Sequence, residues 1–98
     1  MTATANIVAL AKADNVGVAL RDIETSETAR SADGASVVAC EAIPLGHKIA
    51  LIPIAVGEAI VRFGVPVGLA TAAISAGQLV HVHNVRSRYL DNTEDHYE

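Results

Sequence analysis

The segment Ile54-Ala55-Val56-Gly57-Glu58-Ala59-Ile60-Val61 recurs 20 residues later as Ile74-Ser75-Ala76-Gly77-Gln78-Leu79-Val80-His81. Each copy carries an apolar anchor, a small pair, a glycine and then a fresh apolar run. A weaker third copy, Ile23-Glu24-Thr25-Ser26-Glu27-Thr28, has serine where the others have glycine. The physical unit is a side chain docked in a core, a tight turn using positive φ, and a strand leaving the turn. A period of 20 is too short for the common helical repeats. The repeat therefore predicts a pseudo-symmetric, turn-rich β-fold.

Composition points the same way. The chain has 98 residues, room for one domain, and holds 20 Val and Ile against 7 Leu; β-branched side chains suit a pleated surface and lose rotamer freedom in helices. With 51% apolar and 18% charged residues it has enough apolar surface to fold, which excludes disorder for most of its length. A lone cysteine, Cys40, forms no internal disulfide, and a reducing compartment is the simplest reading. Lying in an apolar run, Cys40 reads as a small buried side chain rather than a nucleophile.

The net charge of −4 and the scatter of the seven basic residues, only Arg86 and Arg88 being close together, argue against a nucleic-acid partner. The first fifteen residues lack a basic start, and Lys12 and Asp14 follow a short apolar run, so they make a poor secretory signal and a cytoplasmic location is expected. Residues 63–85 carry no formal charge, but Gly64, Pro66, Gly68, Gly77, Gln78 and His81 interrupt them. No membrane-spanning helix is expected there.

Along the chain, Ile7–Leu10 and Val16–Leu20 read as a hairpin turning through 11–15, where Asp14-Asn15 favours a turn. Asp33-Gly34 precedes a third strand, Ala35–Cys40. Pro44 and Gly46 punctuate the chain before a fourth strand, Lys48–Ile52, with His47 at its threshold. Beyond Arg86 the composition turns polar and acidic. The expected organisation is a domain over 1–88 and a mobile acidic tail over 89–98.

Two places carry groups capable of chemistry. In Val80-His81-Val82-His83-Asn84, strand alternation places His81 and His83 on one face about 7 Å apart, with the valines toward the core. Two imidazoles so spaced suit one metal ion, with Asn84 holding a nearby oxygen ligand. The same alternation suits two half-exposed polar positions on an amphipathic strand, and spacing leaves both readings open. His47-Lys48 follows the Pro44-Leu45-Gly46 turn, where a rigid scaffold displays residues. Lys48 suits a substrate carboxylate or sulfonate, and His47 an acid, a base or a ligand; by itself the dipeptide reads first as a hydrated strand end. Glu41 and Glu58 read as solvated carboxylates. No phosphate-cradling glycine loop, nucleophile elbow or paired-carboxylate motif is present.

Four strings in order resemble one family: Asp14-Asn15-Val16-Gly17-Val18-Ala19-Leu20-Arg21-Asp22-Ile23, Glu41-Ala42-Ile43-Pro44-Leu45-Gly46-His47-Lys48-Ile49-Ala50-Leu51, Gly57-Glu58-Ala59-Ile60-Val61-Arg62-Phe63-Gly64 and His81-Val82-His83-Asn84-Val85-Arg86-Ser87. They look like the SAF-type N-terminal domain of the altronate and galactarate dehydratases, the UxaA family, over roughly residues 5 to 88. The resemblance implies a mainly β domain of the SAF-like β-clip type, related to type III antifreeze proteins. Ser26 departs from the glycine usual in the first repeat.

For function the resemblance implies the small subunit of a lyase that removes water from a sugar acid such as altronate or galactarate. A separate large catalytic subunit would complete the active site, and the small chain alone would be inactive. A similar small chain occurs in sulfolactate sulfo-lyase. The implied chemistry is loss of the proton α to the carboxylate and departure of the β-hydroxyl, with a divalent metal, iron(II) in family members, as Lewis acid. On this chain the resemblance implies His47 and Lys48 as catalytic residues, Asn84 and Arg86 as substrate-binding residues, and His81 and His83 as metal ligands, the isolated chain binding little metal. Two competing expectations are a non-catalytic SAF module that binds a ligand or partner, as in pilus and flagellar assembly proteins, and a homo-oligomer built by strand pairing.

Overall fold

Short β-branched runs separated by turn residues give short strands. The structure, a computed structural model, describes residues 5–81 and 84–87. Among them are nine strands and no helix: β1 (Ile7–Val8), β2 (Val16–Ala19), β3 (Thr28–Arg30), β4 (Ser36–Val38), β5 (Lys48–Ala50), β6 (Ala59–Arg62), β7 (Val65–Ala70), β8 (Leu79–Val80) and β9 (Val85–Ser87). All pairings are antiparallel, in sheets ordered β1-β2-β5-β8, β3-β4 and β6-β7-β9. The mainly β expectation holds, and no described helix is long and apolar enough to cross a membrane. The expected tail over 89–98 lies outside the described residues.

The first hairpin forms as expected, with Ile7 opposite Ala19 and Val8 opposite Val18. Asp14 does more than favour its turn. One carboxylate oxygen accepts the Leu10 and Ala11 N–H groups (3.0 and 3.2 Å), and the other accepts the N–H of distant Gly64 (2.7 Å). Gly64 and Phe63 form the two-residue loop between β6 and β7, both at positive φ (79° and 55°), the geometry whose twist matches a hairpin.

The repeat is fourfold among the described residues, not threefold. The additional copy is Ile43-Pro44-Leu45-Gly46-His47-Lys48, which the sequence presents as plain Pro-Gly punctuation. Every copy begins with a buried alanine four residues before its isoleucine: Ala19, Ala39, Ala50 and Ala70. The copies work as reciprocal pairs. Ile23 and Ile43 exchange both backbone hydrogen bonds at 2.8 Å, and so do Ile54 and Ile74. The turn residue at positive φ in each copy (Ser26 74°, Gly46 83°, Gly57 86°, Gly77 92°) donates its N–H to the partner copy's alanine, at 2.8 Å in every case. Ser26 thus keeps the glycine-type geometry despite its side chain.

Each reciprocal pair builds a core. Ile7, Ala19, Ile23, Ala29, Ala39, Ile43 and Ile49 form one; Val16, Ala50, Ile54, Ile60, Ala70, Ile74 and Val80 form the other. The four-stranded sheet lies between them. Its register puts Ile7, Ala19, Gly17, Ile49 and Leu79 on the face toward the first core, and Val16, Ala50 and Val80 on the face toward the second. Each fully buried isoleucine contributes about 1.5–3 kcal/mol of hydrophobic burial.

Candidate functional site

The β5–β8 register sets Lys48 opposite Val80 and Ile49 opposite Leu79, so the next pair outward is His47 opposite His81. Cross-strand neighbours lie within side-chain reach, and the two imidazoles meet with ring centroids 4.6 Å apart, tilted by 56°. Both residues are half-buried. The His47 backbone is fixed on both sides: its N–H donates to Pro44 O (2.9 Å) and its carbonyl accepts from Ala19 N (2.8 Å). Its ring Nδ1 lies 3.3 Å from Leu45 O.

Asn84 holds His81. Its Oδ1 accepts the His81 N–H (2.9 Å), its Nδ2 donates to Leu79 O (2.8 Å), and its own N–H donates to His81 O (3.0 Å). Expected to face a ligand, the Asn84 carboxamide is instead buried, 6% exposed, with both ends on the backbone. Asn6 and Asn15 clamp other strands in the same way, Asn6 between Thr28 O and Arg30 N and Asn15 between Ala59 O and Val61 N. Sequence reasoning missed this role; the three asparagines stand at unequal distances from the strands they hold, so no spacing announces it.

Lys48 and His47 are neighbours in sequence but not on the sheet. Alternation places Lys48 on the other face, at the register position between Val18 and Val80. Arg86 is on β9 opposite Leu69, in the three-stranded sheet. His83 lies outside the described residues. Of the six expected residues, the structure brings His47 and His81 together, with Asn84 behind the latter.

Other polar groups serve the backbone. Glu41, read as solvated, accepts the Leu79 N–H at the start of β8 (2.9 Å), and Glu58 accepts Ala55 N (2.7 Å). Cys40 is exposed rather than buried, because its neighbour Ala39 takes the inward position, and its thiol donates to Ala76 O (3.2 Å). At Asp14, burial alone pushes the carboxyl up, but backbone hydrogen bonds from Gly64, Ala11, Leu10 and Phe63 outweigh it and hold the group below its ordinary range. Among the described residues no three His, Cys, Asp or Glu side chains converge. The imidazole pair supplies two donors, short of the set a catalytic metal needs.

The family model for the altronate/galactarate dehydratase SAF domain matches residues 5–88. The chain is 41% identical over 86 residues to altronate dehydratase from Bacillus subtilis (strain 168), covering 88% of this chain and 17% of that protein. It is 40% identical over 85 residues to altronate dehydratase from Escherichia coli (strain K12), covering 87% of this chain and again 17% of the relative. Over 48 residues it is 40% identical to the (2R)-sulfolactate sulfo-lyase subunit alpha of Chromohalobacter salexigens, covering 49% of this chain and 51% of that subunit. The chain thus spans about a sixth of the two dehydratases. Its all-strand architecture accords with the match across 5–88, and the chain belongs to the SAF-domain family of the altronate and galactarate dehydratases.

Proposed function

We propose that this chain is the non-autonomous small subunit of a cytoplasmic hydro-lyase that dehydrates a sugar acid such as altronate or galactarate to a 2-keto-3-deoxy acid. A separate large catalytic subunit supplies the rest of the active site. The observation that carries the reading is the 41% identity to an altronate dehydratase across 88% of the chain, with His47 and His81 within the matched span and paired on one edge of the sheet. In the reaction a C–H bond α to the carboxylate breaks, the β-hydroxyl leaves with a proton as water, and the resulting enol tautomerises to the ketone.

His47 is the acid–base group offered by this chain. It is half-buried, and a neighbouring imidazole limits its orientation. Asn84 is a positioning residue acting through His81. Lys48 and Arg86 are the cations proposed for the substrate carboxylate. A divalent metal, iron(II) by the family resemblance, supplies Lewis-acid chemistry when bound. The described residues offer it the imidazole pair and no converging group of three, so its site is assigned to the assembled complex, with His83 as a further donor.

A second reading, the alpha subunit of a sulfolactate sulfo-lyase with sulfite as leaving group, is favoured by the 40% identity to such a subunit. One experiment separates them. The chain is co-expressed with a large catalytic subunit of the family, and 2-keto acid release is measured from altronate, galactarate and sulfolactate with iron(II), with and without this chain. Release from a sugar acid that requires the chain is the expected result. Chain-dependent turnover of sulfolactate alone selects the second reading, and turnover indifferent to the chain overturns both.

A further inference from the structure

The fourfold repeat allows one copy to be read against the other three. In three turns, the side chain that follows the positive-φ residue reaches back to the N–H of the residue after the isoleucine. Glu27 Oε1 accepts from Glu24 N (2.9 Å), Glu58 Oε1 from Ala55 N (2.7 Å) and Gln78 Oε1 from Ser75 N (2.6 Å). Each of these side chains is an acceptor spent on closing its own turn. The turn at 43–48 keeps the same backbone, with His47 N donating to Pro44 O and Gly46 N to Ala19 O. At the place of Glu24, Ala55 and Ser75, however, it has Pro44, which carries no N–H. The next N–H, that of Leu45, is taken by Asp22 Oδ1 (2.8 Å).

We infer that Pro44 is a positioning residue: by withholding the N–H that its three counterparts offer, it releases residue 47 from turn closure and sets both the orientation and the tautomer of the His47 imidazole. The ring then makes the opposite kind of bond. Its Nδ1 faces the Leu45 carbonyl at 3.3 Å, and a carbonyl only accepts, so Nδ1 carries the proton and the lone pair resides on Nε2. In that pose the ring stacks obliquely against His81. With an N–H at position 44, Nδ1 becomes the acceptor, the proton moves to Nε2, and the ring folds back over its own turn as Gln78 does. The use of the pair in acid–base chemistry rests on the lyase reading; the tautomer and the ring contact do not.

The test is long-range proton–nitrogen correlation NMR of the imidazoles in the 15N-labelled 98-residue chain at pH 8.5, with proton–proton contacts between the rings. The parent chain is expected to show His47 as the Nδ1–H tautomer with contacts to His81. Pro44→Ser, which copies Ser75, is expected to show the Nε2–H tautomer and loss of those contacts. An Nε2–H tautomer in the parent overturns the inference, and that result needs no variant to fold. Unchanged tautomer and ring contacts in folded Pro44→Ser overturn it equally. Neither readout involves substrate or a large subunit, so failure of the lyase reading leaves the result interpretable.

Discussion

Two glycines that hold equivalent places in the repeat are not equivalent in what surrounds them. A Cβ on Gly77 would lie 2.2 Å from Val38 O and 3.0 Å from Cys40 Sγ, whereas one on Gly57 meets nothing within 4 Å. Both have positive φ, 92° and 86°, so both alanine variants carry the left-handed backbone cost of about 1–2 kcal/mol. Only Gly77→Ala must also displace the strand that its turn leans on. In urea unfolding Gly57→Ala is expected to lose about 1–2 kcal/mol and Gly77→Ala clearly more, about 3 kcal/mol or above; equal losses would deny the close approach. Asn84→Ala removes the carboxamide that accepts the His81 N–H and donates to Leu79 O. The expected loss is about 1–3 kcal/mol, together with altered His81 chemical shifts.

Strands and turns show where sequence reasoning succeeds and where it stops. The β1–β2 hairpin was legible because Asp14-Asn15 and the alternation around it are local signals. The turn at 43–48 was legible as a turn, but Pro44 disguised it as punctuation, and the alanine four residues before each isoleucine gives no sign until the reciprocal hydrogen bonds are seen. The site was half legible for the same reason. His47 and His81 each stand out in the sequence, but their contact is fixed by the β5–β8 register, which no local pattern encodes. Asp14, which ties the first hairpin to the β6–β7 loop through Gly64, has a pH signature. Its folded pKa lies below its ordinary value, so the unfolded chain binds the proton more tightly and stability rises with pH across the window between the two values. The contribution is complete above the unfolded pKa of about 4 and is lost as pH falls through the folded one. Urea midpoints between pH 2.5 and 6 are expected to drop more steeply at the acid end for the parent than for Asp14→Asn; identical slopes would remove Asp14 from that role.

At the scale of the whole molecule, the two cores meet across one four-stranded sheet, each fed by its own face. Ile54→Ala, at 2% exposure, is expected to cost about 2–5 kcal/mol and to unfold both halves in one cooperative transition, because β2, β5 and β8 serve both cores; two separate transitions in urea would contradict this. The same sheet carries the imidazole pair on its edge, held there by a turn that keeps the fold of its three counterparts but lacks the N–H they offer at the place of Pro44. The most direct test is the turnover of the proposed two-subunit lyase with His47→Gln, which gives the fourth turn the residue of Gln78. The expected result is a chain that folds and assembles as the parent does, with kcat lowered at least about a hundredfold. Turnover within twofold of the parent in an intact complex would contradict it.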